Sequence, residues 1–430
     1  MARLAVLLYN LAFPILFLAY APFYLLRQFR RGGLDAGFLE RFAWFSREKK
    51  AALAQLKRPV WIHSVSVGET VAALGFVKAW RQRRPDLEFV ISTTTTTGQA
   101  IARQKAPPGT VVIYCPLDWW PLVRRTLGLV RPRLLVVFEV ELWPNLISGA
   151  AAQARLALAN GRMSDRSAAR YARFAPLFRP LLAKFAVLCV QDDKDRQRFE
   201  RVVAGQAPVH ACSTMKFDQV PDVATANLHE TLDKAFGPGP RRCWVAGSTH
   251  PGEEALILQI FRSLKATFPD LRLILVPRHV ERTAEVEKLL AQAGVSYQLL
   301  QGAPATAAPA EALLVNTTGQ LMAFYGAADL AYVGKSLAGN TGGHNIIEPA
   351  IFGKPIVHGA NMQNFRMVAE LFQEAAAAVE VGDGSALEAT LRRWLEHPEE
   401  AEGYARRSRQ LVERHRGAMA RTIDLLEPLL

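Results

Sequence analysis

Apolar and polar positions along the chain fall into three regimes. From Leu4 to Leu26 no side chain is charged, and Asn10 is the only strongly polar one. At helical rise such a stretch crosses about 30 Å of hydrocarbon, so it predicts a membrane-anchor helix within residues 1–30, kinked by Pro14 and Pro22. Arg27, Arg30 and Arg31 follow it, against Arg3 before it. That bias favours a single N-terminal anchor with a cytoplasmic body. Ala19-Tyr20-Ala21 has the form of a signal-peptidase site, but Pro22 would follow the cut, and a retained anchor is the preferred reading.

From Pro59 the pattern changes to short β-branched apolar runs separated by helical periods. The strand windows are 59–66, 87–95, 110–115, 133–140, 154–159, 185–191 and 208–213. A second series follows at 241–247, 271–276, 296–300, 312–315, 329–333, 355–358 and 377–381. Continuous apolar strands alternating with helices predict parallel, doubly wound sheets, an α/β fold. Asp218, Pro221, Gly237, Pro238, Gly239 and Pro240 make 217–240 the linker between a domain over 31–216 and another over 241–390. Residues 391–430 read as charged helices that pack back on the body.

Candidate chemistry collects where strands end. Pro59 to Ser66 is a strand that turns at Gly68 into a helix with apolar Val71, Leu74, Val77 and Trp80, which places Glu69 in the first helical turn. Such a site favours a negative side chain, and an acid at the carboxyl edge of a sheet can accept a proton from a substrate hydroxyl. An acid that only complements the helix dipole fits the same pattern. Glu139 and Glu141 end an otherwise apolar strand, where an acid needs a partner. Asp193-Lys194-Asp195 reads as first-turn acids, and Thr93 to Thr97 as either a hydroxyl-lined loop or plain β-propensity. Phe38 to Phe45, four aromatics beside basic residues, suits a headgroup boundary or a helix packed on the first domain.

In the second domain polar turns recur: Gly247 to Glu254, Val276 to His279, Thr317 to Gln320, and Gly339 to Pro349. Small residues before a helix leave N–H groups free for a phosphate, Arg278 can pair with one bidentately, and Glu348 can hold ribose hydroxyls. No G-x-G-x-x-G with its acidic partner and no Walker sequence occurs, so those routes to dinucleotide or ATP binding lose support.

Charge sharpens the division. Residues 1–200 hold 30 Lys and Arg against 14 Asp and Glu; residues 201–430 hold 22 against 25. One basic half attached to a near-neutral half suggests that the first domain meets an anionic surface or substrate. The four cysteines, Cys115, Cys189, Cys212 and Cys243, are too far apart for a metal cluster and read as buried thiols in a reducing compartment.

His63-Ser64-Val65-Ser66-Val67-Gly68-Glu69, Glu139 to Asn145, Val276 to His279 and Gly342 to Pro349, in that order, resemble the 3-deoxy-D-manno-octulosonic acid (Kdo) transferases of lipopolysaccharide biosynthesis. The resemblance implies a GT-B glycosyltransferase fold, two Rossmann-like domains facing a cleft. It also implies transfer of Kdo from CMP-Kdo to lipid A precursor (lipid IVA) with inversion and without a cofactor or metal. Carried over by position, Glu69 resembles the catalytic base, and Glu139 and Lys216 resemble transition-state supports. Ser248, Pro277, Arg278, His279, Thr318, Gly319, Gln320, Gly343, Asn345, Ile346, Ile347 and Glu348 resemble the donor contacts. The first domain then takes the lipid acceptor at an anionic inner membrane, with no nucleic-acid partner expected. Two departures stand out: Thr318-Gly319-Gln320 where the family usually reads Met-Gly-Glu, and Val333-Gly334-Lys335-Ser336 where it usually reads Val-Gly-Gly-Ser. Two alternatives remain open: a nucleotide-sugar 2-epimerase, and a membrane-tethered basic nucleic-acid binder, which predicts strongly salt-dependent binding.

Overall fold

Among the described residues, fourteen apolar runs become fourteen strands, in two all-parallel sheets of seven. The computed structural model describes residues 2–29, 37–218, 228–302 and 309–430. The Gly32-Gly33 loop with Arg30 and Arg31, the middle of the expected linker and most of the alanine-rich stretch at 303–310 lie outside the described residues. Two compact units result, one of residues 1–219 with 416–430, the other of residues 220–415.

The first sheet contains β1 (Val60–His63), β2 (Phe89–Thr93), β3 (Val111–Tyr114), β4 (Leu134–Phe138), β5 (Arg155–Gly161), β6 (Val187–Val190) and β7 (Val209–Ala211), in the order β3-β2-β1-β4-β5-β6-β7. Most of these strands are buried along their length, because helices cover both faces. On one face Phe76 packs edge to face with Trp80 and with Phe138, its centroid 5.4 Å from that of Trp80, and Phe89 lies tilted against Trp80. Each such ring, fully buried, contributes roughly 1.5–3 kcal/mol of apolar transfer. The last helix, Ala418–Leu426, adds Met419, Ile423 and Leu426 to this same core. Asp218 fixes its start by accepting the Gly417 and Met419 N–H groups, each at 2.6 Å.

The second sheet contains β8 (Arg242–Thr249), β9 (Leu271–Pro277), β10 (Tyr297–Leu299), β11 (Ala312–Leu314), β12 (Leu330–Val333), β13 (Ile356–Gly359) and β14 (Val379–Val381), ordered β10-β11-β9-β8-β12-β13-β14. In both sheets the strand order reverses beside the first strand, between β1 and β4 and between β8 and β12. Ligands of open α/β sheets bind outside the carboxyl ends of strands at such a reversal.

The apolar N-terminal segment is a helix, Ala2–Phe29, with Pro14 and Pro22 inside it. It does not provide the expected single-span anchor, since no helix among the described residues is long and apolar enough to cross a membrane. Its faces differ. Asn10 exchanges side-chain amide hydrogen bonds with Asn145 at 2.9 and 3.0 Å and accepts the Trp120 N–H at 3.1 Å. Phe17 meets the Phe42 ring edge-on at 6.0 Å. Leu8, Leu11, Ile15, Leu16 and Leu18 point outward. A helix hydrogen-bonded to a protein surface along one side cannot present every face to hydrocarbon. The aromatic stretch after it splits in the same way, with Phe45 buried and Leu39 and Trp44 exposed.

Candidate active site

Glu69 sits where the sequence places it, in the first turn of the helix Val67–Arg83 that follows β1. It completes a capping box: Ser66 Oγ accepts the Glu69 N–H at 3.2 Å, and Glu69 Oε1 accepts the Ser66 N–H at 3.2 Å. Oε2 accepts the Val65 N–H at 2.8 Å. The dipole-complementing role of this acid is therefore real. Two backbone donors leave part of a carboxylate's roughly four lone-pair positions free, and Ser66, Val67 and Gly68 beside it are exposed.

Two more acids join it at the same reversal. Glu139 follows β4 with φ +56°, a left-handed conformation uncommon outside glycine, and its N–H is tied to the Ala159 carbonyl at 3.0 Å. Burial and then the Glu69 charge raise the Glu139 carboxyl, opposed by Arg162 and Lys216. Glu141 is pushed up to about 7 by burial, then by Glu69 and Glu139. Lys216 is lowered by burial and by Arg162, while Glu139 acts the other way. Asn160, at the end of β5, aims the short turn that carries Lys216 by accepting the Met215 N–H at 3.1 Å. The first unit thus gathers three carboxyls, an amine and a guanidinium within Coulombic reach of one another.

Several motif residues serve the scaffold instead. His63 is fully buried, bonded through Nδ1 to Ser92 Oγ at 2.9 Å, and lowered to about 4 by burial. The threonine run is spent locally: Thr94 and Thr95 hydroxyls bond the Val65 carbonyl, and Thr93 bonds Gln99. Asp193 and Asp195 are first-turn acids, with Asp195 accepting the Met163 N–H and pairing with Arg198. Asn145 and Asp118 hold the helix Pro144–Ala151, Asp118 accepting the Asn145 and Leu146 N–H groups at 3.0 and 2.8 Å.

In the second unit the expected donor contacts line the carboxyl edge of the sheet. Ser248 lies within β8, Pro277 closes β9 with Arg278 and His279 next, and Thr318, Gly319 and Gln320 precede the helix Leu321–Ala327. Gly343 and Asn345 to Glu348 occupy the loop and short helix after β12. Arg278, His279 and Thr318 to Gln320 are exposed. Ile346 and Ile347 are core side chains, so only their backbone can face a ligand. Glu348 is raised to about 7 by burial, although Asn345 and Arg278 oppose the shift.

Three residues outside that set complete the picture. His250 and His344 share a hydrogen bond between their Nε2 atoms at 3.0 Å, so one ring donates and the other accepts. His279 stands 5.5 Å from His250, ring edge to face. Glu253, wholly buried, accepts five hydrogen bonds: from the N–H groups of His250, Lys335, Ser336 and Leu337, and from the Tyr332 hydroxyl, all at 2.8–3.1 Å. It binds the β8 turn to the β12 turn. Gly334 lets them meet, since a Cβ there would come 2.6 Å from the Ser248 carbonyl. The buried hydroxyls of Thr249, Thr317 and Tyr325 have no hydrogen-bond partner among the described residues. Thr249 ends β8, Thr317 follows β11, and Tyr325 belongs to the helix Leu321–Ala327.

Comparison with known proteins supplies independent information. The family model for 3-deoxy-D-manno-octulosonic-acid transferase (kdotransferase) matches residues 36–219. A 3-deoxy-D-manno-octulosonic acid transferase of Haemophilus influenzae is 32% identical over 375 residues, 86% of this chain and 87% of that one. One from Bordetella pertussis is 32% identical over 428 residues, 95% and 97% of the two chains. Among solved structures, the UDP-GlcNAc 2-epimerase of Neisseria meningitidis bound to UDP-GlcNAc superposes with a TM-score of 0.55 at 10% identity, over 86% of this chain and all of that one. That likeness shows a shared fold of two parallel-sheet units, the GT-B architecture.

Proposed function

Because the chain belongs to the 3-deoxy-D-manno-octulosonic acid transferase family, we propose that Glu69 is the base of a Kdo transfer whose donor is CMP-Kdo and whose acceptor is a lipid A precursor. The enzyme is a glycosyltransferase of lipopolysaccharide biosynthesis. In the proposed reaction Glu69 takes the proton of the acceptor hydroxyl as that oxygen bonds to the anomeric carbon. The bond from that carbon to the CMP phosphate oxygen breaks, and the electron pair leaves with the phosphate. Direct displacement inverts the centre. Arg278, together with loop N–H groups of the second unit, takes up the leaving charge in place of a metal. Lys216 faces Glu139 and steadies charge beside the attacking oxygen.

The observation that carries this reading is the cluster of Glu69, Glu139 and Glu141 at the β1/β4 reversal, inside the residues matched by the family model. Its test uses the capping box. Glutamine also serves that box, so Glu69→Gln keeps the Ser66 bond at the helix start, while its NH2 replaces the oxygen that accepts the Val65 N–H and the basic carboxylate is gone. Transfer should fall by about 10²–10⁴-fold, the range general-base catalysis supplies, with CMP-Kdo affinity unchanged. Full activity in this variant refutes the assignment.

The acceptor calls for a membrane, and the proposed contact is interfacial. Leu11, Ile15 and Leu18 on the outer face of the first helix are joined by Leu39 and Trp44, by Trp120 and by Phe174 and Leu177, all exposed. These side chains come from segments that touch the helix through Phe42, the Trp120 N–H and the helix Ala175–Leu182. Arg124, Arg125, Arg170 and Arg173 lie among them, as basic and aromatic groups do on proteins seated in an anionic headgroup layer.

A further inference from the structure

Lys335 has no assigned role, and its backbone is unusual. It follows β12 at φ +63°, a conformation that costs a non-glycine residue on the order of 1–3 kcal/mol unless its surroundings hold it there. They do. Its N–H donates to Glu253 at 2.8 Å, and its carbonyl accepts the Gly343 N–H at 2.9 Å. With both backbone groups pinned, the side chain runs along the Gly342-Gly343 turn, its Cε 3.5 Å from where a Gly342 Cβ would be. The ammonium makes no ion pair among the described residues.

Its neighbours are one guanidinium and two imidazoles held in the neutral form. Lys335 and Arg278 both act on His344, which burial, His250 and these charges lower to about 3. His250 is lowered by burial and then by Lys335. Glu253, the nearest acid, has its oxygens committed to five donors, and Glu348 sits across from Arg278. Two cations, one on a pinned backbone, with so little counter-charge make a site for a ligand with more than one anionic group.

We infer that Lys335 grips the carboxylate of the sugar-acid donor while Arg278 meets the adjacent phosphate. The inference rests on the Kdo-transferase reading. The donor's chemistry supplies the match: in a nucleotide-linked ulosonic acid the carboxylate and the phosphate oxygen are attached to one carbon, so two anions lie a few ångströms apart. Arg278 after β9 and Lys335 after β12 both act on the His344 ring, which puts two cations at one edge of the sheet to meet such a pair. Lys335 is thus a specificity-determining contact that favours acidic over neutral sugars.

The test measures binding of CMP-Kdo and of CMP to the full chain. Lys335→Met keeps the length and packing of the side chain without its charge, and should raise the Kd for CMP-Kdo about tenfold while moving that for CMP less than about twofold, in keeping with loss of one charge-assisted contact. Lys335→Gly, whose backbone takes φ +63° freely, should do the same and guards against a folding defect. Equal losses for both ligands would put Lys335 on the phosphate and overturn the inference, as would no loss for either. If the unaltered protein binds neither ligand, the donor reading falls and takes this inference with it; if it binds both and the variants match it, only the inference falls.

Discussion

Glu69 and Glu253 occupy the same topological place, the first turn of the helix that follows the first strand of each sheet, at the reversal in strand order. Each accepts an N–H from its own turn. There the likeness ends. Glu69 has two backbone donors and two acidic neighbours; Glu253 has five donors, three of them from the β12 turn. Topology chooses where an acid stands, and the donors that converge on it decide whether it remains available for chemistry. The surrounding charge follows suit. The first reversal collects carboxyls, whereas the second spends its acid internally and presents Arg278, Lys335 and three histidines. The outer surfaces differ as well, since among the described residues the exposed large apolar side chains all belong to the first unit.

The largest effect expected from this contrast is at Glu253. Replacing it with alanine leaves four backbone N–H groups and a tyrosine hydroxyl without their acceptor in a dry site. Breaking a buried charged network of that kind costs about 3–5 kcal/mol. Thermal unfolding followed by tryptophan fluorescence should show one early transition for the second unit, with CMP affinity lost and the first unit's transition in place. An unshifted curve would mean that the β12 turn holds its shape without Glu253. Next comes the apolar surface. Leu11→Ser with Ile15→Ser removes two exposed side chains worth roughly 1.5–3 kcal/mol each when transferred to hydrocarbon. Sedimentation with anionic vesicles should fall at least tenfold, with transfer to a detergent-solubilised acceptor unchanged. Undiminished vesicle binding would detach this face from the membrane.

Strands were legible because a parallel sheet covered by helices demands apolar runs, and each run delivered one. Ends were less so: the window at 59–66 yields only Val60–His63, because Ser66 leaves the strand to cap a helix, while β8 runs on to Thr249 past a window ending at 247. Glu69 and Arg278 announce themselves by place and type. Glu253 does not, since three of its donors lie some eighty residues further along and look in the sequence like any first-turn acid's surroundings. The two-sided character of the first helix was hidden for a related reason. Hydropathy counts apolar residues without regard to face, and only the structure shows Asn10 bonded inward to Asn145 while Ile15 points out.

The smallest effect separates the two reversals by the sign of their fields. Glu141 and Glu348 are both raised to about 7, mainly by burial, but acids add to the shift at Glu141 and Arg278 opposes it at Glu348. A carboxyl whose folded pKa exceeds its unfolded value of 4.5 contributes stability that is whole below 4.5 and lost as pH rises through 7. Glu141→Gln does not titrate, so relative to the unaltered protein it should gain stability between pH 5 and pH 8. The gain is on the order of 1 kcal/mol once solvent screening at this half-buried side chain is allowed for. Salt then distinguishes the sites. Screening weakens repulsion from Glu69 and Glu139, so about 0.5 M salt, which shortens the Debye length to a few ångströms, should lower the Glu141 midpoint. The same salt weakens the attraction of Arg278 and should raise the Glu348 midpoint. Titration of both carboxyls by NMR at low and high salt reads the two directions at once; midpoints unmoved by salt would show that burial alone sets both values, and shifts of the same sign would show that the fields of the two units at these acids are not opposed.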